Sequence, residues 1–134
     1  MIKKVLFIIL FFPCPIFAQQ FIYDPINTGV NMTVAIMSID QQFSAGDTIL
    51  ALYNDHDTLK VGGLTIWQGN RLAIALWGDD STSDRKDGFS NDEIITWRVV
   101  KNDSLFDVYP QYRVGNNSWS ANGISIMDSL IYQY

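Results

Sequence analysis

Nowhere after residue 18 do apolar residues keep the i, i+3, i+4, i+7 spacing of a helix for three turns; they come in short bursts broken by Gly, Asn and Asp. An all-β fold follows. The bursts place strands at 32–39, 48–53, 58–67, 71–77, 94–100, 105–112 and 124–127. "NDHD" at 54–57, "QGN" at 68–70 and "KNDS" at 101–104 supply residues that tolerate positive φ or close Asx turns, so they read as hairpins between antiparallel strands.

The faces of these strands carry more information than their positions. Leu72, Ile74 and Leu76 alternate with Ala73, Ala75 and Trp77, giving two apolar faces and a central position. Ile95, Trp97 and Val99 share one face while Thr96 and Arg98 take the other, as in a strand with one wet side. Pro110 demands an edge strand or a bulge, and Gly62-Gly63 marks a bulge inside a long strand. Strands at this spacing predict a single antiparallel β-sandwich of about seven to eight strands, immunoglobulin-like in outline. The segment 78–93 is too long for a hairpin and is expected to carry the chain between the two sheets.

The first residues, "MIKKVLFIILFFPCPIFAQQ", join Lys3 and Lys4 to an apolar run that ends on Phe17-Ala18. This is the form of a secretory signal peptide spanning 1–18, cleaved after Ala18, with one module over 19–134. A lipid-anchored Cys14 is the competing reading, but Pro13 and Pro15 flank it where small residues are wanted. No later stretch approaches the roughly 20 apolar residues of a membrane helix, so no membrane insertion is expected after cleavage. Cys14 is the single cysteine, and its loss with the signal excludes disulfides and thiolate chemistry. Nine basic residues less Lys3 and Lys4 leave seven against fourteen acidic ones, a net charge of about −7. That balance argues against nucleic acid and anionic lipid as partners and leaves a glycan or a secreted or cell-surface protein. The expected setting is periplasmic, extracellular or at the cell surface.

Three stretches, "AGDTILALYN", "LTIWQGNRLAIALWGDDSTSDRKDGFSNDEIITWRV" and "ANGISIMDSL", carry a resemblance that covers roughly 27–130. Trp77-Gly78-Asp79-Asp80 followed by Lys86-Asp87-Gly88-Phe89 is its specific part. The chain resembles a β-rich module that recurs in secreted proteins of bacteria using the type IX route. The resemblance implies an accessory or adhesion-like role and brings no chemistry with it. Thr48 stands where that family usually has an acid, which argues against a second acidic loop sharing in a metal site. No sorting domain follows Leu130, which implies another export route or an anchoring tail missing from this sequence. Asp47-Thr48-Ile49, Asp57-Thr58-Leu59, Asp80-Ser81-Thr82, Asp103-Ser104-Leu105 and Asp128-Ser129-Leu130 each resemble the O-glycosylation acceptor of related bacteria.

Candidate sites are few. His56 is the sole histidine and falls in a predicted hairpin tip, Glu93 is the sole glutamate, and neither a nucleophile elbow nor a zinc-ligand spacing occurs. An enzyme is therefore not expected. The stretch 78–93 concentrates Asp79, Asp80, Asp84, Asp87 and Asp92, short carboxylates of the kind that calcium gathers in a folded-back loop, although the spacing is not that of an EF-hand. Calcium is the candidate cofactor, set against a solvated crossover whose acids cap turns. Sugar rings stack on exposed aromatic faces. Trp97 and Trp77 lie in line with apolar neighbours and are expected in the core, whereas Trp119 sits in the loop-like "GNNSWSANG". Its ring either plugs the core or faces a ligand, with Tyr109 and Tyr112 widening the platform. The expected function is a non-catalytic secreted accessory module of carbohydrate-binding or surface-adhesion type. The alternative is a structural or assembly domain that binds another protein through a strand edge.

Overall fold

Alternation of apolar and polar residues turns each burst into a strand with one face inward. The computed structural model describes residues 24–133; the expected signal peptide, the expected cleavage point and Cys14 lie outside them. Seven strands form: β1 (Asn31–Ile36), β2 (Thr48–Asp55), β3 (Thr58–Ile66), β4 (Leu72–Trp77), β5 (Thr96–Lys101), β6 (Ser104–Val114) and β7 (Ile124–Tyr132). All seven expected strands are present. His56 and Asp57 at the β2–β3 turn, and Asn102 and Asp103 at the β5–β6 turn, all have positive φ, the conformation two-residue hairpins need.

The expected two-sheet antiparallel sandwich is not what these strands build. They hydrogen-bond into one sheet in the order β3-β2-β5-β6-β7-β1-β4. The sheet is mixed, because β1 enters between β7 and β4 and runs parallel to β7, pairing Thr33 with Ile124 and Ile36 with Met127. The two end strands, β3 and β4, come back against each other and nearly close a barrel. Gly63 marks that seam: a Cβ there would stand 2.8 Å from the Ala75 carbonyl oxygen. The turn at 68–70 therefore joins strands that pack without a ladder, and β4 is an end strand rather than a central one. A one-layer barrel has a single core-facing side, so the second apolar face of β4 looks outward. Ala73 is exposed there and Trp77 is half-buried on the same face, which corrects the expectation that Trp77 is core.

Two irregularities fall where glycine and proline foretold them. Ala51 pairs with Gly63 but Leu52 pairs with Val61, leaving Gly62 as the extra residue of a bulge. Pro110 pairs with Leu130 of β7, beyond the β5 ladder that ends at Val108, and a register shift follows between Gln111 and Tyr112. There a missing N–H breaks no second ladder.

The barrel interior is filled by Val34, Ile36, Ile49, Ala51, Ile74, Leu76, Trp97, Val99, Val108 and Met127, all buried. Each mouth is stopped by aromatic rings. At one, Phe43 from the β1–β2 connection meets Phe106 and Tyr132 edge-on, with centroids 5.6 and 6.4 Å away. At the other, Phe89 of the long loop stacks on Trp119 of the β6–β7 loop at 6.5 Å and 7°, and meets Tyr53 edge-on at 5.6 Å. The segment 78–95 crosses this second mouth from β4 to β5 rather than linking two sheets. Among the described residues no helix is long and apolar enough to cross a membrane.

Candidate functional site

The loop 78–95 is built on backbone pairing with its neighbours. Phe89 N–H donates to the Trp77 carbonyl at 3.0 Å and Asp79 N–H to the Phe89 carbonyl at 2.8 Å, so the loop doubles back on the end of β4. Trp119 N–H donates to the Glu93 carbonyl and Asp92 N–H to the Trp119 carbonyl, tying the two mouth loops together. Gly88 allows the close return, since a Cβ there would lie 2.4 Å from the carbonyl carbon of Gly78.

Three of the five aspartates proposed as calcium ligands, Asp79, Asp80 and Asp87, are turned to separate tasks. Asp79 Oδ1 accepts from the Asp87 N–H at 2.9 Å, and Asp87 Oδ1 accepts from the Asp80 N–H at 2.8 Å. Asp80 Oδ1 accepts from both the N–H and the hydroxyl of Thr82, and the hydroxyl bond above all holds its carboxyl below the usual range. Asp84 is exposed, and Asp92 is an exposed positive-φ residue. Among the described residues no three carboxylate, His or Cys side chains converge as a metal-holding group. The donor set thus fits turn capping, which satisfies loop N–H groups, better than it fits an ion needing six to eight converging oxygens.

The proposed aromatic platform is likewise dispersed. Trp119 is 3 % exposed, with its indole N–H donating to the Leu76 carbonyl at 2.9 Å. Its ring is the plug, and it offers no face for a sugar. Tyr112 is half-buried with its hydroxyl donating to Asn117 Oδ1 at 2.9 Å, and burial pushes its pKa up to about 12. Tyr109 is half-exposed on β6. His56, with a side chain 97 % exposed, pairs with Asp55 at the β2–β3 tip. Lys60 and then His56 hold the Asp55 carboxyl below its usual range. Of the glycosylation-like tripeptides, Thr58, Ser81 and Ser104 are exposed and Thr48 and Ser129 half-buried.

A site that the sequence reading passed over lies on the outer side of β2. Ile49, Ala51 and Tyr53 enter the core cluster, so Leu50 and Leu52 face the other way, yet they are 7 % and 4 % exposed. They form the floor of a groove of about 830 Å³. Its walls are Leu59 and Val61 of β3, Arg98 of β5, Leu105 of β6, Ile26 of the arm before β1, and Arg85 and Lys86 of the long loop. The register explains the floor: Leu52 pairs with Val61, and Leu50 pairs with Arg98. Lys86 is anchored, pairing with Glu93, donating to the Asn54 carbonyl at 2.6 Å and lying 5.6 Å over the Tyr53 ring. Tyr53 also lines the groove; burial above all, then Asp55 and the loop acids, pushes its pKa up to about 12. The overlooked signal was five successive apolar residues, Ile49 to Tyr53, in a strand that needs only every second one for a core.

No protein-family description matches the chain, and no curated protein is similar to it. Among solved structures, an alternative pilotin from the type II secretion system of Vibrio cholerae is similar at 11 % identity, with 78 % of this chain and 96 % of that chain covered and a TM-score of 0.38.

Proposed function

We propose that the chain is a non-catalytic binding module of an exported protein, and that it holds a small ligand in the groove over β2. The groove carries this reading. Its volume falls within the roughly 300–1,000 Å³ of small-molecule sites, and an apolar floor with a few polar groups at the rim is the lining such sites use. The export half rests on the N-terminal sequence. A sugar platform has less support, because Trp119 is spent as a plug and Tyr53, the one aromatic among the described residues lining the groove, is almost sealed. Assembly through a strand edge also has less support, since β3 and β4 occupy one another's outer side. The test is amide shift mapping by NMR with a small panel of apolar, aromatic and saccharide probes. Shifts gathered on Leu50, Leu52, Val61 and Leu105 support the groove; shifts gathered around Tyr109 with saccharides alone overturn it.

A further inference from the structure

The charge around the groove runs against the charge of the chain. From Asp24 onward there are seven basic and fourteen acidic residues. Four of the seven bases, Lys60, Arg85, Lys86 and Arg98, line the groove, against two of the fourteen acids, Asp24 and Asp87. Three of the four cations have partners: Lys60 with Asp55, Lys86 with Glu93, and Arg98 through Nε with Asp107. Asp87 is spent on the Asp80 N–H. Arg85 is exposed, and its guanidinium makes no ion pair or hydrogen bond with a described residue. A free guanidinium above a row of leucines wants an anion on one side and hydrocarbon on the other.

Resting on the binding-module reading, we propose that the groove takes a single-chain anionic amphiphile, a fatty-acid carboxylate, with its head on Arg85 and its tail along Leu52 and Leu50 toward Leu105. An alkyl chain is favoured over a peptide by the backbone around the floor. β2 is hydrogen-bonded on both sides, to β3 and to β5, so its N–H and C=O groups are already used. A peptide lying there would find no strand edge and would leave its own polar backbone unpaired, whereas an alkyl chain has no such groups to satisfy. A sugar would need an open aromatic face, and the described residues lining the groove offer none. The negative charge of the whole chain does not oppose a monomeric fatty acid as it opposes an anionic membrane, because only the groove meets the head group and charges beyond about 8 Å are screened at physiological salt.

The test uses decanoate below its micelle concentration, with decanol and decyltrimethylammonium as probes of the same tail and different heads. Binding is followed by titration of amide shifts in the wild type, Arg85→Ala and Leu105→Glu, both changes lying at exposed side chains. The expected result is preference for decanoate over both other probes, a loss of roughly tenfold in decanoate affinity with Arg85→Ala at unchanged decanol affinity, and weaker binding of both with Leu105→Glu. Equal affinity for the three heads, or a decanoate preference that survives Arg85→Ala, overturns the anion-binding inference and leaves the groove as an apolar site. No shift in the groove with any of the three overturns both that inference and the groove as the binding site for such ligands.

Discussion

The indole N–H of Trp119 reaches the carbonyl oxygen of Leu76 at 2.9 Å, so a loop residue completes the hydrogen bonding at the end of β4 while its ring closes the barrel. Gly78 makes this possible. A Cβ there would stand 2.3 Å from Cη2 of Trp119. Trp119→Ala should therefore cost about 3–5 kcal/mol, the range for emptying a large buried aromatic site. Gly78→Ala should cost about 1–3 kcal/mol by overpacking against the same ring. Tyr109→Ala, at a half-exposed strand position, should stay within about 1 kcal/mol. Urea denaturation of the three variants checks the order; a Trp119→Ala variant as stable as wild type would mean that the ring is not the plug.

Asn117 is the polar hub of the same mouth. Its Oδ1 accepts from Trp97 Nε1 and from the Tyr112 hydroxyl, both at 2.9 Å, and its Nδ2 donates to the Ile95 carbonyl at 2.8 Å. Asn117→Ala removes three bonds at once and strands the N–H of a tryptophan that is itself buried. The expected loss is about 2–4 kcal/mol, because an orphaned buried group costs its full desolvation. Tyr112→Phe removes one donor and leaves Asn117 with its other two partners, so it should cost about 1 kcal/mol. Equal losses from the two variants would show that the bonds of Asn117 to Trp97 and Ile95 add nothing to stability.

Strand positions were legible because a half-buried strand writes its period into the sequence, and both two-residue turns were legible because His56-Asp57 and Asn102-Asp103 must adopt positive φ. The layering was not. Two apolar faces on β4 suit a sandwich centre as well as a barrel wall with an apolar exterior, and only long-range pairing decides between them. Parallel pairing of β1 with β7 leaves no local trace either, since it joins residues some 90 positions apart. The acidic loop was legible as a crossover, but whether its carboxylates converge on an ion or some of them turn to N–H groups depends on φ at positions such as Asp92, which composition does not report. Trp119 could be narrowed to plug or platform. Deciding it needed Gly78 beneath the ring, 41 residues away in the chain.

Alkaline pH should weaken the barrel through the phenols of Tyr53 and Tyr112. A tyrosine in the unfolded chain ionises near 10, whereas Tyr53 and Tyr112 are each raised to about 12, chiefly by burial. The native state then keeps protons that the unfolded state has released. These two groups leave stability unchanged below about pH 10 and lower it between pH 10 and 12. Tyr53→Phe removes one such proton and gives up only a long 3.4 Å bond to the Lys86 carbonyl. At pH 7 it should lie within about 1 kcal/mol of wild type, and above pH 10 the gap should close or reverse. Denaturant curves at pH 7, 9, 10.5 and 11.5 read the difference directly, and a gap that stays constant across them would show that Tyr53 does not titrate with folding.

The aspartates of the long loop should stabilise it as hydrogen-bond acceptors rather than as ligands of an ion. Asp79 holds the Asp87 N–H, and Asp87 holds the Asp80 N–H and the Ser83 hydroxyl, the last at 3.2 Å. Truncating either to Ala should cost about 1–2 kcal/mol, as at a helix cap, whereas Asp84→Ala should stay within about 0.5 kcal/mol. Asn in place of Asp79 or Asp87 keeps an acceptor oxygen and should recover part of the loss. A calcium ion at 100 times its dissociation constant would add about 2.7 kcal/mol to the folded state, or a rise of several degrees per kcal/mol in melting temperature. Because the carboxylates do not converge, melting curves in chelator, in magnesium and in millimolar calcium should coincide. A calcium-specific rise that disappears in Asp80→Asn would reverse this assignment and make the loop a metal site whose ligands swing together on binding.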